Sequence, residues 1–532
     1  MSVRRTLTRN TLFNIGGRIC EALISLVLMY YIYTRVGLAY SGLWGLVAAA
    51  VGYVSLVDLG LGSAYGKFIA EHNARDNPEG ISSVVSTGLA FYVLLGIAVL
   101  SLGWPCVNAL TMWMASSRGD DGMLLHDPMF VADMRFLLFG ALLVFAASNC
   151  VAPFSAVQTG LQRMGVTNAI STVFAFAKAG ATVFFLEMGY GVRGLLFANI
   201  VVFAGFAVVT IASAFVLAPG LRISLRYLRG ETLRMLFGFG WRTQVARLSN
   251  LVTFDTDVLV IGFWLQQFDR LGLYKFGIEL ANKMRQVPVV LLGAILPAAA
   301  DLDARAEHER LQRLYLLSTK YVAAVLIPLV ALTAGAAGPF MRTWLGSGFE
   351  TSAWVLRIIA FGYIGNVLPG PGVSVALGMG RADMQMYAGL LAMISNVVLT
   401  IALYLSIGFW GIPIATAASL FLTTAWFIVA MESVIGVSAG KLLRVAVLWP
   451  TLASLPGFAA CVLADCWSSQ FDGRLPNAAV AGTLVLFSGI SYLVLIRLTP
   501  FLDAFDFDFL GNSLALRRVP GFAVWARSGR RA

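Results

Sequence analysis

Apolar residues run along this chain in blocks of about twenty, the length a helix needs to cross a bilayer core. Fourteen blocks can be marked, near 11–33, 41–63, 82–105, 134–156, 166–188, 193–217, 236–264, 272–299, 318–340, 352–376, 386–407, 410–433, 444–464 and 477–497. Each predicts a transmembrane helix; the seventh and eighth are the most polar, and their ends are the least sharply drawn. The polar residues inside the blocks are ordered. Asn14, Arg18, Glu21 and Ser25 fall on one stripe of the first helix, and Asn168, Ser171, Lys178 and Thr182 on one stripe of the fifth. Lys275, Glu279, Asn282 and Gln286 share a stripe of the eighth, with Lys283 beside them. The seventh is broader, with Gln244, Arg247 and Asp255 on one side and Arg242, Asn250 and Asp257 on another. Helical periodicity puts such residues on common faces.

A cation at mid-bilayer costs roughly 2.5–3.5 kcal/mol on insertion scales. Arg18, Lys178, Arg242, Arg247 and Lys283 all lie inside apolar blocks. A shared, water-filled interior would offset that cost, and an anion is its natural occupant. Alternatives stand beside this reading. Glu279 with Lys283, and Arg18 with Glu21, can neutralise each other within one helix, and Arg242 can snorkel to the nearer interface. Asp58, before Gly60 and Gly62 at the inner end of the second helix, serves structure or function. Asn366 and Asn396 suit hydrogen bonds between helices.

Composition agrees with a polytopic membrane protein. Of 532 residues, 59% are hydrophobic and 12% charged, with a mean hydropathy of +0.81; soluble globular chains do not have that balance. The net charge of +11 sits in short loops between apolar blocks, which points to membrane topology rather than nucleic acid. With the N-terminus placed in the cytoplasm, 23 Lys and Arg fall on the inner side and 6 on the outer. Both termini are then cytoplasmic and the helix number is even. The first block is too long for a cleavable signal and lacks an Ala-x-Ala site.

A short internal repeat is visible. Gly160-Leu-Gln-Arg163 and Gly378-Met-Gly-Arg381, 218 residues apart, each open a helix pair, and glycine-bearing outer turns follow at Gly189–Gly191 and Gly408–Gly411. The expected organisation is an N-terminal lobe at 1–218 (six helices), a linker at 219–235, and a second six-helix lobe at 236–434. Two added helices follow at 435–498, then a tail at 499–532. The repeats enter from the same side, so an axis along the membrane normal relates them.

Little here speaks for catalysis. There is no GxxxxGK[ST], HExxH or GxSxG. The five cysteines form no CxxC pair, the three histidines fall in loops, and no metal or cofactor is expected. Asp120 and Asp121, in the longest outer loop, suit a solvated loop better than a metal-dependent transferase.

Several segments together resemble a known family. They are Arg9-Asn-Thr-Leu-Phe-Asn14, Leu56-Val-Asp-Leu-Gly-Leu-Gly62 with Lys67 and Glu71 behind it, Gly338-Pro-Phe-Met-Arg-Thr-Trp-Leu-Gly346, and the two Gly-x-x-Arg turns. The chain is similar to the polysaccharide-transport (Wzx-type flippase) branch of the multidrug/oligosaccharidyl-lipid/polysaccharide exporter superfamily. The resemblance implies an all-α fold of about fourteen helices, with two six-helix lobes around a V-shaped cavity and two extra helices. It implies a non-enzymatic flippase of the bacterial inner membrane, carrying an undecaprenyl-pyrophosphate-linked oligosaccharide by alternating access. O-antigen, capsule or exopolysaccharide assembly would be the setting, with a polymerase and glycosyltransferases as pathway partners. Arg18, Lys178, Arg242, Arg247 and Lys283 would attract the substrate; Glu21, Asp58, Asp255, Asp257 and Glu279 would couple transport to H⁺ or Na⁺. The rival readings are a MATE-type cation-coupled drug antiporter, which typically has twelve helices and an acidic pocket, and a polytopic glycosyltransferase or polymerase, which needs a large outer loop.

Overall fold

The apolar blocks expected to cross the bilayer fall, where described, mainly on helix, with turns inside three of them at Gly60, Ala336 and Leu368–Pro369. The computed structural model describes residues 24–58, 60–116, 125–468, 473–502 and 506, with the side chains at 63, 239–243, 245 and 246 left aside. In order, the helices are α1 (Ile24–Val36), α2 (Leu38–Val54), α3 (Leu61–Ala74), α4 (Pro78–Ser116), α5 (Pro128–Gly160), α6 (Met164–Glu187), α7 (Gly191–Leu217) and α8 (Gly230–Leu259). There follow α9 (Phe268–Val289), α10 (Ile295–Ala304), α11 (His308–Gly335), α12 (Ala337–Trp344), α13 (Glu350–Val367) and α14 (Gly370–Gly378). The last are α15 (Ala382–Ile407), α16 (Gly411–Ile435), α17 (Ala439–Leu442), α18 (Trp449–Ser468) and α19 (Arg474–Leu498).

Among the described residues, eleven helical stretches are long and apolar enough to span a membrane. One of them, Ala382–Ile435, doubles back at Gly408 (φ 65°), so α15 and α16 form a hairpin pinned by the Asn396 amide donating to Thr416 Oγ1 at 3.0 Å. The helix α8 is too polar to count by composition, and the described part of the first helix is short. Helices suit this setting because they satisfy their own backbone groups where no water can. The apolar side chains left exposed, among them Val173, Phe176, Val208 and Leu405, then face hydrocarbon.

The chain divides into two compact units, Met1–Lys275 and Phe276–Ala532. The core of the first joins Leu61, Tyr65, Ile69, Val84, Tyr92, Phe154 and Val157. That of the second joins Ile295, Tyr315, Val375, Phe427 and Met431.

The short sequence repeat proves to be a repeated backbone turn. After Gly160 the amide of Leu161 donates to Val157 O, that of Gln162 to Thr159 O and that of Arg163 to Gln158 O. After Gly378 the amides of Met379, Gly380 and Arg381 donate to Val375, Leu377 and Ala376 in the same pattern. Both turns pass through the left-handed region, at Gln162 (φ 56°) and Gly380 (φ 74°). The likeness runs further than the sequence suggests. Leu38–Ala74 and Phe268–Ala304 lie 230 residues apart at both ends, and each is interrupted by a 3₁₀ segment, Ser55–Asp58 in one and Val290–Ala294 in the other. Each also ends in a left-handed turn, at Asp76 (φ 47°) and Ala306 (φ 56°).

Two ionic clasps within the second unit tie the last helices to α11–α13. Asp465 of α18 takes Arg342 at 2.5 Å and also Arg357, and Arg342 Nε donates to Asn477 of α19 at 3.0 Å. Further along, Lys320 and Tyr321 of α11 reach Asp506 at 2.5 and 2.6 Å, with Lys320 over the Phe501 ring.

Candidate functional site

The most concentrated polar chemistry among the described residues of the first unit is built around Asp58. The sequence suggested an inner helix end for this residue, but the structure places it at a break about midway along Leu38–Ala74. Helix continues beyond Gly60, which takes a left-handed φ of 75°, down to Ala74. The partners prove the continuity. Tyr53 meets Thr256, Gln244 reaches Leu56 O, and Leu236 packs with the residues of α3, so α8 runs antiparallel past both α2 and α3. The sequence hid this because α3 carries Lys67 and Glu71 and drops out of an apolar window.

Asp58 is 7% exposed. Tyr92 of α4 donates its hydroxyl to Oδ1, and Arg247 of α8 approaches Oδ2 at 3.4 Å. The other arm of Arg247 donates to Ser55 Oγ at 3.1 Å, and Gln244 Nε2 to the carbonyl of Leu56 at 2.6 Å. The tight 3₁₀ turn after Val54 frees the Leu56 carbonyl and aims Ser55 and Asp58 at α8. Arg247 is not consumed by this arrangement: its side chain is 46% exposed, and the contact to Asp58 is long. Further along α8, Asp257 is fully buried and accepts from Tyr274 Oη at 2.5 Å, while Asp255 is half-buried.

Lys178 has a different environment. Its helix α6 turns Val173, Phe176, Val183 and Phe184 outward. Lys178 stands on the other side, the face that carries buried Thr182 and Leu186, and is itself exposed there. Among the described residues no carboxylate lies within ion-pair reach of it.

In the second unit the polar stripe of α9 is stitched to α13. Glu279 and Lys283 pair at 3.2 Å, the mutual neutralisation that their spacing allowed. Asn282 Oδ1 accepts from Tyr363 Oη at 2.5 Å, and Arg285 donates to Asn366 Oδ1 at 3.1 Å while stacking 5.0 Å from the Tyr363 ring. Close approach is possible because Gly277 sits against the backbone of Ser352. Of the five candidate cations, Arg247 and Lys283 therefore have carboxylate partners and Lys178 has none among the described residues. Arg18 and Glu21 lie outside the described residues, as does the Arg242 side chain.

Sequence reasoning passed over Tyr92, Arg285, Arg357 and Asp465. The last three are charges in or beside apolar blocks, so the criterion that found Lys178 applies to them; their partners were invisible because Asp465 lies 108 positions from Arg357. Tyr92 carried no signal, being one aromatic in an apolar run.

A family model described as "Polysaccharide biosynthesis protein" matches residues 129–354. A Shigella flexneri protein described as "Putative O-antigen transporter" is 21% identical over 370 residues, covering 68% of this chain and 82% of its own. The teichuronic acid biosynthesis protein TuaB of Bacillus subtilis is 26% identical over 276 residues, covering 48% of this chain and 53% of its own. The solved structure of the lipid II flippase MurJ, in an inward closed conformation, superposes with a TM-score of 0.67 at 12% identity, over 92% of this chain and 98% of that one. The fold is shared at that level.

Proposed function

We propose that this chain is a transporter of the polysaccharide-transport, Wzx-type branch of the multidrug/oligosaccharidyl-lipid/polysaccharide exporter superfamily, a reading supported by the family match, the O-antigen transporter relative and the shared fold. It moves an undecaprenyl-pyrophosphate-linked oligosaccharide from the cytoplasmic to the outer leaflet of a bacterial inner membrane, by alternating access, with both termini in the cytoplasm. The product feeds O-antigen, capsule or exopolysaccharide assembly, alongside the polymerase and glycosyltransferases of the same route.

The observation that carries this reading is Lys178, a cation on a membrane helix, turned from the lipid-facing residues and without a carboxylate partner among the described residues. An intramembrane charge of that kind marks a substrate or ion path, and a phosphate-bearing passenger supplies the missing counter-charge. Arg247, half exposed, is the second anion contact; Arg18, Arg242 and Lys283 are further candidate anion contacts. Asp58 gives Arg247 a reason to switch. The Asp58 carboxylate competes with the passenger for the guanidinium, and a coupling ion held at that carboxylate would release Arg247 to the passenger. A proton or cation at Asp58 would thus favour one state of the transporter over the other. Glu279 plays the same part toward Lys283, and Glu21, Asp255 and Asp257 are further acids for the coupling ion.

The test is deletion of the gene followed by leaflet-resolved lipid analysis. Lipid-linked repeat units held in the inner leaflet support the proposal. Shortened glycans with no such accumulation would point to a transferase. A drug-sensitive strain with normal surface glycan would point to the antiporter reading. Re-expression of Lys178→Ala should fail to restore export, while normal surface polysaccharide from that variant would remove the cavity cation from the account.

A further inference from the structure

The segment that joins α7 to α8 is a connection of the kind that runs free over a surface, yet here it is fastened along its length. One face of the first turns of α4 presents Ser82, Ser83, Ser86 and Thr87, each more than nine-tenths buried. They bond the backbone of the segment in register. Ser82 Oγ accepts from the amide of Arg222 at 3.0 Å, and Ser86 Oγ meets both Arg222 O and the amide of Ser224 at 3.4 Å. Ser83 Oγ donates to Tyr227 O at 2.9 Å and also meets Thr232 Oγ1 at 3.1 Å. Thr87 Oγ1 donates to Tyr227 O at 3.4 Å and accepts from the amide of Arg229 at 3.3 Å. These bonds turn part of the backbone inward, with Thr232 buried and Ser224 and Tyr227 half-buried, and leave the remaining side chains of the segment largely outward. Arg222, Arg226, Arg229 and Arg234 are all exposed. Between them stand exposed Ile223, Leu228 and Met235, and Leu225 at 82%. Glu231 is the one acid in 219–235.

Charge asymmetry across a membrane accounts for arginines somewhere in this segment. It does not account for a backbone clamped by buried hydroxyls or for leucines held out beside the arginines. We propose that 222–235 is a preformed strap that seats on anionic phospholipid headgroups of the cytoplasmic leaflet, with its arginines on the phosphates and Leu225 dipping into the acyl boundary. The charge complements such a surface, and so does the place: the strap begins a few residues after the membrane-spanning α7 ends at Leu217, within a Debye length of the headgroups. A clamped strap loses little conformational freedom on docking, so the full electrostatic attraction is expressed. The inference rests on the membrane topology and not on the identity of the transported molecule.

The experiment uses the full chain purified in neutral detergent, with unfolding followed by tryptophan fluorescence during titration with phosphatidylglycerol or phosphatidylcholine. Phosphatidylglycerol should raise the melting temperature and phosphatidylcholine should not, and the rise should shrink as salt goes from about 50 to 300 mM. Each arginine removed should weaken the lipid response about five-fold, so R222Q/R226Q/R229Q should shift the titration about a hundred-fold while R222K/R226K/R229K keeps it. A Gln triple variant that responds as wild type does overturns the proposal. An equal rise with inorganic pyrophosphate alone, without lipid, also overturns it, because the strap would then read free phosphate. Should the Gln variant fail to fold, Leu225→Cys carrying an environment-sensitive dye decides in nanodiscs. A blue shift on exchanging phosphatidylcholine for phosphatidylglycerol supports the strap, and identical spectra sink it.

Discussion

Tyr92→Phe and Arg247→Gln, made singly and together, separate what holds Asp58 from what uses it. Tyr92 is 1% exposed and its hydroxyl is bonded to a carboxylate that is itself buried. Removing the hydroxyl leaves Oδ1 without that donor in a place water does not readily reach, and hydrogen bonds to charged groups contribute about 1.5–3 kcal/mol. That corresponds to a loss of roughly ten- to a hundred-fold in the folded-to-unfolded ratio. Arg247 holds the same carboxylate from 3.4 Å with a side chain 46% exposed. Pairs of that kind contribute about 0–1 kcal/mol. Stability measured by thermal unfolding in detergent should therefore fall more for Tyr92→Phe than for Arg247→Gln, and export of surface polysaccharide should fall more for Arg247→Gln. The double variant should show coupling, since both groups bond the same carboxylate, Tyr92 at Oδ1 and Arg247 at Oδ2. The reasoning is refuted if Arg247→Gln destabilises as much as Tyr92→Phe, or if the phenol is the one whose loss abolishes export from well-folded protein.

Asp465→Ala should leave Arg342 and Arg357, both 17% exposed, without their shared carboxylate while Arg342 keeps Asn477 and Arg357 keeps the carbonyl of Ala334, and cost about 1–3 kcal/mol; limited proteolysis should then cut near α18 sooner than in wild type. Lys178→Arg should keep a large part of the export that Lys178→Ala loses, because the charge remains while its shape changes. Met188→Cys, in the exposed turn after α6, should react with an impermeant thiol reagent in whole cells and Leu225→Cys should not; the opposite labelling would invert the topology. In a Cys20→Ser background, Cys106 and Cys466 should react with a lipophilic maleimide while Cys461, buried against α11, stays protected, as read by mass spectrometry of the intact protein.

The span positions were legible because bilayer thickness forces long apolar helices whatever the packing. The boundaries were less so where a helix leaves the apolar window while staying helical, as α3 does beyond Gly62, and this moved Asp58 from an expected helix end to a helix break. The pairing of Glu279 with Lys283 was readable because both lie on one helix four residues apart. The pairing of Arg247 with Asp58, 189 positions away, was not, since only the antiparallel run of α8 along α2 and α3 brings them together. The role of Tyr92 depends wholly on which face of α4 meets Gly60's turn, and hydropathy carries no record of that.

The twin turns at Gly160–Arg163 and Gly378–Arg381 keep the same hydrogen bonds although two of their four residues differ. Conservation of a bend through such drift is what a gene doubled end to end would leave behind, each copy free to mutate so long as the corner still forms. At the corner's left-handed position one copy has glycine and the other an exposed glutamine. That glutamine is an unrepaired scar: replacing it with its sister's glycine should relieve about 1 kcal/mol of backbone strain while keeping the backbone hydrogen bonds of the corner, and the molecule carries its own template for the repair.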